Sequence, residues 1–150
     1  HPWRKFTYKC VLKPVLRKKE EALSLLLKSV PNPVIMMTIA EIHLLLAHSR
    51  AFKSIEHGNT PAHLEEDGRA VRKHLVIASR FIEMALRCGL DEGSITSRPR
   101  ELGICWFQGA DQAADQQLPQ PVLAGRREAW THLVDILREH KISIVCDQPK

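Results

Sequence analysis

Eight histidines are the residues of this sequence with the most obvious chemistry, because a neutral imidazole binds metal ions and titrates near neutral pH. His43 and His48 are five residues apart, which places their side chains about 140° apart around a helix. His132 and His140 lie about 12 Å apart along a helix axis. Neither spacing lets two side chains of one helix hold the same ion. We therefore interpret these histidines as surface residues or hydrogen-bonded core residues.

A metal site would also need ligand motifs that the sequence does not contain, such as His-Glu-x-x-His, Cys-x-x-Cys or a calcium-binding loop. His57 and His63 flank one loop and can approach each other, but a stable site needs further ligands. We predict no structural metal and no cofactor. If zinc were found, His57, His63 and Cys105 would be the first ligands to test.

Motifs for nucleophilic or phosphate chemistry are also missing. The sequence has no Gly-x-Ser-x-Gly, no P-loop and no Gly-x-Gly-x-x-Gly, and its seven glycines occur singly. The acids Glu65 to Asp67 are interpreted as charges that favour the positive start of a helix. We predict that the protein is not an enzyme, although carboxylates from two different helices can meet without any sequence signal.

The first nineteen residues are strongly basic and contain no acid. Their seven cations are Arg4, Lys5, Lys9, Lys13, Arg17, Lys18 and Lys19. Trp3, Phe6 and Tyr8 lie among them, and such aromatics can stack on bases while cations hold phosphates. This pattern supports one hypothesis, a nucleic-acid-binding helical domain that acts through residues 3–19. This hypothesis requires that the cations form a single exposed face together with Arg126 and Arg127.

The other interpretation is that this basic segment is the solvated face of a first helix. We favour it because residues 20–150 hold two more acids than lysines and arginines, although the whole chain is +5. A net negative remainder repels a polyanion, so we expect only weak, sequence-blind binding to nucleic acid, lost by about 0.2 M salt.

The length of 150 residues and the 44% apolar content are ordinary for one globular domain, 1–150. The chain does not begin with Met, so we expect a piece of a larger protein. No apolar run approaches the length of a membrane span, and we predict no membrane partner.

Four cysteines, Cys10, Cys88, Cys105 and Cys146, form no Cys-x-x-Cys pair. Cys88 follows an apolar helical pattern, where a thiol behaves as a small hydrophobic residue. Reduced structural thiols are typical of intracellular proteins, and we expect a cytoplasmic or nuclear location.

Proline, asparagine and glycine divide the chain into helices. The first follows Pro14 and stops at the VPNPV stretch, and the second runs from about Pro33 to Glu56 with Asn32 as its cap. The third begins at Pro61 after Thr60 and ends at Gly89, which suits a left-handed C-terminal position. The second and third helices are predicted to form an antiparallel hairpin, with the second, the most apolar, at the centre.

The last helix is predicted from Pro121 to Lys141, after an irregular segment at 90–120 that holds a short helix following Pro99. Two β-prone stretches, FTYKCVL and KISIVCD, lie near the chain ends, and whether they pair is left open.

The predicted buried faces follow helical spacing. They are Leu16, Leu23, Leu26, Leu27 and Val30 in the first helix; Ile35, Ile39, Ile42, Leu45, Leu46, Phe52 and Ile55 in the second; Val71, Leu75, Ala78, Ile82 and Ala85 in the third; and Val122, Ala129, Trp130, Leu133, Ile136 and Leu137 in the last.

The stretch ASRFIEMAL resembles the second helix of a tetratricopeptide repeat, with Ala78, Ile82, Ala85 and Leu86 at the small–large–small spacing of that repeat. The positions typical of the first helix of the repeat are missing just before it. The resemblance therefore implies helix-hairpin packing of a similar kind, and not membership of the family.

These patterns predict an all-α fold, a four- to five-helix bundle or helix-hairpin, repeat-like module. With no chemistry indicated, we predict a protein–protein interaction module of a larger scaffold or assembly subunit, with a partner whose identity the sequence does not give. Its predicted contact residues are the aromatics outside the clean stripes, Trp3, Trp106 and Phe107.

Overall fold

The computed structural model describes residues 13–57, 60–91 and 118–142, and these ranges form four α-helices. They are α1 (Lys13–Ser29), α2 (Pro33–Ser54), α3 (Pro61–Arg87) and α4 (Gln120–Glu139), with a short 3₁₀ turn, Ile55–His57, after α2. The predicted all-α class is confirmed for these residues. The predicted irregular segment and both β-prone stretches lie almost entirely outside the described residues.

The helix boundaries follow the local signals of the sequence. The Asn32 side chain caps α2 by accepting a hydrogen bond from the Val34 backbone N–H at 2.8 Å, and Pro33 is the first helical residue, as predicted. Thr60 holds the cap position of α3, but its side chain makes no capping hydrogen bond. α2 ends two residues earlier than predicted, because the chain tightens into the 3₁₀ turn.

The C-terminus of α3 has the predicted left-handed residue at Gly89, within a Schellman motif. Gly89 has a φ of 93°, and its N–H donates to the Leu86 carbonyl, while the N–H of Leu90 donates to the Ala85 carbonyl, both at 3.0 Å. α4 ends in the same way at Ile142, although its left-handed residue is Lys141, with a φ of 57°. In both motifs the residue after the left-handed position packs on the core, so each cap also closes the end of the bundle.

α2 and α3 form the predicted antiparallel hairpin. Two side-chain pairs join them, His43 with His74 and Arg50 with Asp67. As one partner moves forward along α2, from His43 to Arg50, the other moves back along α3, from His74 to Asp67. The two helices therefore run in opposite directions. α1 is also antiparallel to α2, because Leu16 packs with Leu46 while Glu20 lies beside His43.

α3 packs along both α2 and α4, so it shares the centre of the fold with α2. Its predicted stripe is fully buried at every position: Val71, Leu75, Ala78, Ile82 and Ala85. α4 lies parallel to α3. Gly68 approaches Gly125, and Arg72, four residues further along α3, pairs with Glu128, three residues further along α4. Of the predicted face of α4, only Trp130 is half-buried and the rest is buried.

The α3–α4 crossing is close because two glycines meet there. A methyl group on Gly125 would lie 2.6 Å from the Gly68 carbonyl oxygen, and one on Gly68 would lie 2.5 Å from the Pro121 carbonyl oxygen. Both contacts are with backbone, which cannot swing aside. Gly125 therefore lets two helices approach, at the expense of its low helix propensity.

We expect Gly125→Ala to destabilise the protein by about 1–3 kcal/mol, because overpacking at the crossing outweighs a propensity gain of about 1 kcal/mol. The exposed neighbour Ala124 supplies the matched control. Ala124→Gly should lose about 1 kcal/mol by propensity alone. Chemical denaturation of both variants measures these changes, and a stabilised Gly125→Ala protein would contradict the close crossing.

α1 is attached less extensively than the other described helices. Leu16 is its buried residue, and it forms a small cluster with Ile42 and Leu46 that is separate from the main core. Leu26 and Val30, predicted to be buried, are exposed instead. Their side of α1 is left uncovered by α2, the described helix along which α1 packs.

The predicted face of α2 is buried along its middle but not at its end. Phe52 and Ile55 are exposed, although their neighbours Ala51 and Ser54 are fully buried, while Ile42 and Leu46 are buried as predicted. By length and composition α2 could also cross a membrane: an 18-residue window of it has a mean hydropathy of 1.2. The prediction that no apolar run approaches that length is therefore wrong. Because 56% of the window is buried in the fold, as in the core helix of a soluble protein, this does not establish a membrane span.

Candidate functional site

The described core contains five buried polar residues: His43, Ser54, Asp67, Ser79 and Arg126. The two serines donate hydrogen bonds to backbone carbonyls of their own helices, which accounts for their burial. The other three are ionisable or charged, and burial of such groups needs partners. The surroundings of His43, Asp67 and Arg126 are therefore the candidate site.

His43 lies where α1, α2 and α3 meet. Its Nδ1 atom is 3.0 Å from Nδ1 of His74 on α3, and its Nε2 atom is 3.8 Å from Oε1 of Glu20 on α1. The same Glu20 oxygen accepts a hydrogen bond from the Ser24 hydroxyl at 2.9 Å. One carboxylate and two imidazoles thus connect three helices. We refer to Glu20, His43 and His74 as the histidine cluster.

The contacts of the histidine cluster determine which ring nitrogens carry protons. A hydrogen bond between two Nδ1 atoms needs one N–H donor and one lone pair, so at least one ring must be neutral. The Glu20 carboxylate favours the tautomer of His43 that carries its proton on Nε2, which leaves Nδ1 as the acceptor. His74 then donates through its Nδ1–H. Each of the facing nitrogens is occupied by the other ring.

Burial disfavours the charged form of both rings. It lowers the pKa of His74 to about 4, and the positive charges of His43, Arg17, Lys73 and Arg50 act in the same direction. Burial also lowers the pKa of His43 below its ordinary value of 6.5, although the negative charge of Glu20 opposes the shift. Near neutral pH the cluster therefore consists of two neutral imidazoles and one carboxylate.

This arrangement links three helices. Neither Nδ1 atom can act as a general base while the two face each other, whereas the assigned tautomers leave a lone pair on Nε2 of His74. Within the described ranges, no group of three or more His, Cys, Asp or Glu side chains is placed to hold a metal ion. The absence of a metal, a cofactor and an enzymatic role stays a prediction, since Cys105 and the side chain of His57 are outside the described part.

Asp67 forms a second polar link between α2 and α3. Its carboxylate is fully buried and accepts a hydrogen bond from Nε of Arg50 at 2.6 Å, and Arg50 also lies 3.9 Å from Glu66. The interpretation of Glu65 to Asp67 as helix-start charges is wrong, because the helix begins at Pro61 and its first turn holds no acid. The position of Asp67 on the inner face of α3 makes it the partner of an arginine one helix away.

Arg126 is 2% exposed, next to the Gly125 crossing. It cannot belong to an exposed cationic face with Arg127, which the nucleic-acid hypothesis requires. Of the cations proposed for that hypothesis, Arg17, Lys18 and Lys19 are exposed on α1 and Lys13 is half-buried. Arg4, Lys5 and Lys9 lie outside the described residues, as do the predicted partner contacts Trp3, Trp106 and Phe107.

Cys88, expected to be a small core residue, is an exposed free thiol at the end of α3. The apolar pattern of α3 ends before Cys88, because Cys88 occupies the cap position just before the left-handed Gly89. The other three cysteines lie outside the described residues.

α1 and the residue that follows it present a second apolar stripe, two members of which, Leu26 and Val30, were predicted to be buried. Val15, Ala22, Leu26 and Val30 follow one another at spacings of seven, four and four residues, which places them on one side of the helix. Val15, Leu26 and Val30 are 54%, 47% and 46% exposed. We call these four residues the α1 stripe. The exposed Lys19 lies within the stripe, and Lys18 lies at its edge.

Comparison with known proteins adds no relative. No protein-family model matches the chain. No curated protein and no solved structure matches it. We therefore infer function from the geometry of the described residues alone.

Proposed function

We propose that this protein is a protein–protein interaction module that binds an acidic amphipathic helix along the α1 stripe. The observation that carries the proposal is the exposure of three large apolar side chains of the stripe, at helical spacing, on a helix that packs along only one of the other described helices. Contiguous exposed apolar surface is typical of interaction sites.

The geometry of the stripe favours a helix as the partner element. Its spacing of seven, four and four residues is the pattern with which one helix packs along another. An approaching helix would lie beside α1 and extend the bundle by one member. It would bury Leu26 and Val30, which α2 leaves uncovered.

The charge of α1 favours an acidic partner. Lys19 is exposed within the stripe and Lys18 at its edge, whereas Glu20 is directed towards His43 and the exposed Glu21 lies on the opposite side of the helix from the stripe. Acidic residues beside the apolar positions of the partner would complement these cations and speed association. A second copy of the same helix would bring like charges together, so we do not expect self-association through the stripe.

The proposal is tested with a labelled amphipathic peptide of about three heptads, with leucines on one face and glutamates on both sides of it. Fluorescence anisotropy should show binding to the full chain, at least about tenfold weaker after Leu26→Asp. A twin peptide with lysines in place of the glutamates should bind at least about tenfold more weakly than the acidic one.

Leu25 provides the matched control, because it is 68% exposed and lies about 100° from Leu26 around the helix. Leu25→Asp adds the same charge to the same helix and should leave peptide binding unchanged. Equal losses in the two variants, or equal binding of the two peptides, would contradict the proposal. Salt-tolerant, sub-micromolar binding to a defined oligonucleotide would instead favour the nucleic-acid hypothesis.

A further inference from the structure

We infer that the histidine cluster is a proton-operated latch, which holds α1 on the bundle at neutral pH and releases it on acidification. The latch concerns the helix that carries the proposed docking stripe, but it does not depend on that function. Its basis is the position of His43, enclosed between Glu20 of α1 and His74 of α3.

The contact between the two rings can survive one added proton but not two. With one proton, one ring donates and the other still offers a lone pair. With two, an N–H points from each ring at the other across 3.0 Å, and two positive charges face each other. The rings must then separate.

The surroundings supply more positive than negative charge. Arg17 of α1, Arg50 of α2 and Lys73 of α3 all act on the cluster and disfavour its protonation, whereas Glu20 alone among the groups acting on it favours the charged form of His43. A doubly protonated cluster would therefore add two charges to a region that is already positive. One carboxylate cannot offset them.

α1 is the helix that is released, because it is held by fewer apolar contacts than α2 or α3. α2 and α3 share the main core, in which Ala47, Ala51, Leu75 and Ala78 are fully buried. α1 contributes Leu16 and the half-buried Leu23 to the small cluster with Ile42 and Leu46, and its half-buried Leu27 packs against the main core. The imidazoles can reach water at lowest cost if α1 moves away and the α2–α3 hairpin stays intact.

The direction of the pH effect follows from proton binding. A histidine freed from the cluster binds its proton near pH 6.5, and the pKa of His74 in the cluster is about 4. Between these values the released state binds more protons, so acidification favours it. The attachment of α1 is therefore fully present above about pH 6.5 and is lost progressively as the pH falls towards about 4.

Hydrogen exchange read by mass spectrometry tests the latch on the full chain at about pH 7 and about pH 4.5, with rates corrected for intrinsic exchange. Peptides from α1 should exchange at least about tenfold faster at the lower pH, while peptides from α3 keep their protection. His74→Gln, which cannot be protonated, should abolish this difference. His132→Gln, at an exposed position of α4, should preserve it.

A second variant keeps the test decisive if His74→Gln does not fold. Glu20→Gln removes the group that stabilises a charged His43 in the cluster, so the release of α1 should shift to higher pH. An unchanged midpoint would overturn the inference. Uniform loss of protection across all helices, or no extra exchange in α1 at the lower pH, would overturn it as well.

Discussion

Arg50→Met is expected to destabilise the protein by about 3 kcal/mol. The methionine keeps most of the apolar stem of the arginine but removes the guanidinium that donates to Asp67 at 2.6 Å. Because the Asp67 carboxylate is fully buried, water cannot replace that donor at low cost. The partial exposure of Arg50 keeps the loss at the lower end of the range for buried pairs.

Arg69→Met is the matched control, because Arg69 pairs with Glu65 at 3.8 Å with both side chains exposed. Such surface pairs contribute at most about 0.5 kcal/mol. Adding Asp67→Leu to Arg50→Met should recover much of the lost stability, since the double variant no longer buries a carboxylate that has lost its arginine. Chemical denaturation measures all three proteins. Equal losses at Arg50 and Arg69 would show that the buried pair is not stabilising.

Ile42→Ala is expected to lose about 2–3 kcal/mol, from the transfer of the removed methyl and methylene groups and from the cavity left behind. Ile42 is buried in the small cluster with Leu16 and Leu46, and Leu23 and Leu45 pack against it. The loss lies in the lower half of the usual range, because α1 can settle into part of the space. The same variant should raise hydrogen exchange in α1 more than in α3.

Leu25→Ala is the control for this cavity, because its side chain is mostly exposed on α1. Its removal should change the free energy of unfolding by less than about 0.5 kcal/mol. A loss below about 1 kcal/mol for Ile42→Ala would mean that the small cluster does not hold α1. It would then also weaken the argument that α1 is the helix released by the latch.

The sequence predicted the helix ends well because the signals for them are local. Asn32 and Pro33 start α2, and Gly89 ends α3, through backbone geometry that involves only a few neighbouring residues. The stripe of α3 was also predicted completely, since this helix is flanked by α2 and α4 and buries the whole of its apolar face. Such features need no knowledge of which helix is the neighbour.

The same reasoning failed where burial depends on the neighbour. Leu26 and Val30 fit the periodicity of a buried face as well as Leu16 does, yet only Leu16 is buried. Asp67 resembled its exposed neighbours Glu65 and Glu66 in every local respect, although it is fully buried. Periodicity shows which residues share a side of a helix, but it does not show how much of that side another helix covers.

The candidate site shows most clearly which features follow from local sequence and which follow from packing. By itself the sequence determined that α2 and α3 are helices joined by a short loop, and an antiparallel hairpin follows from that. Only the tertiary structure decided that His43 meets His74, that Glu20 of a third helix joins them, and that Gly68 meets Gly125. Helix signals act over a few residues, whereas two of these three contacts join residues about 30 or more positions apart. The register and rotation of a helix depend on the packing of the whole core, which no local signal contains.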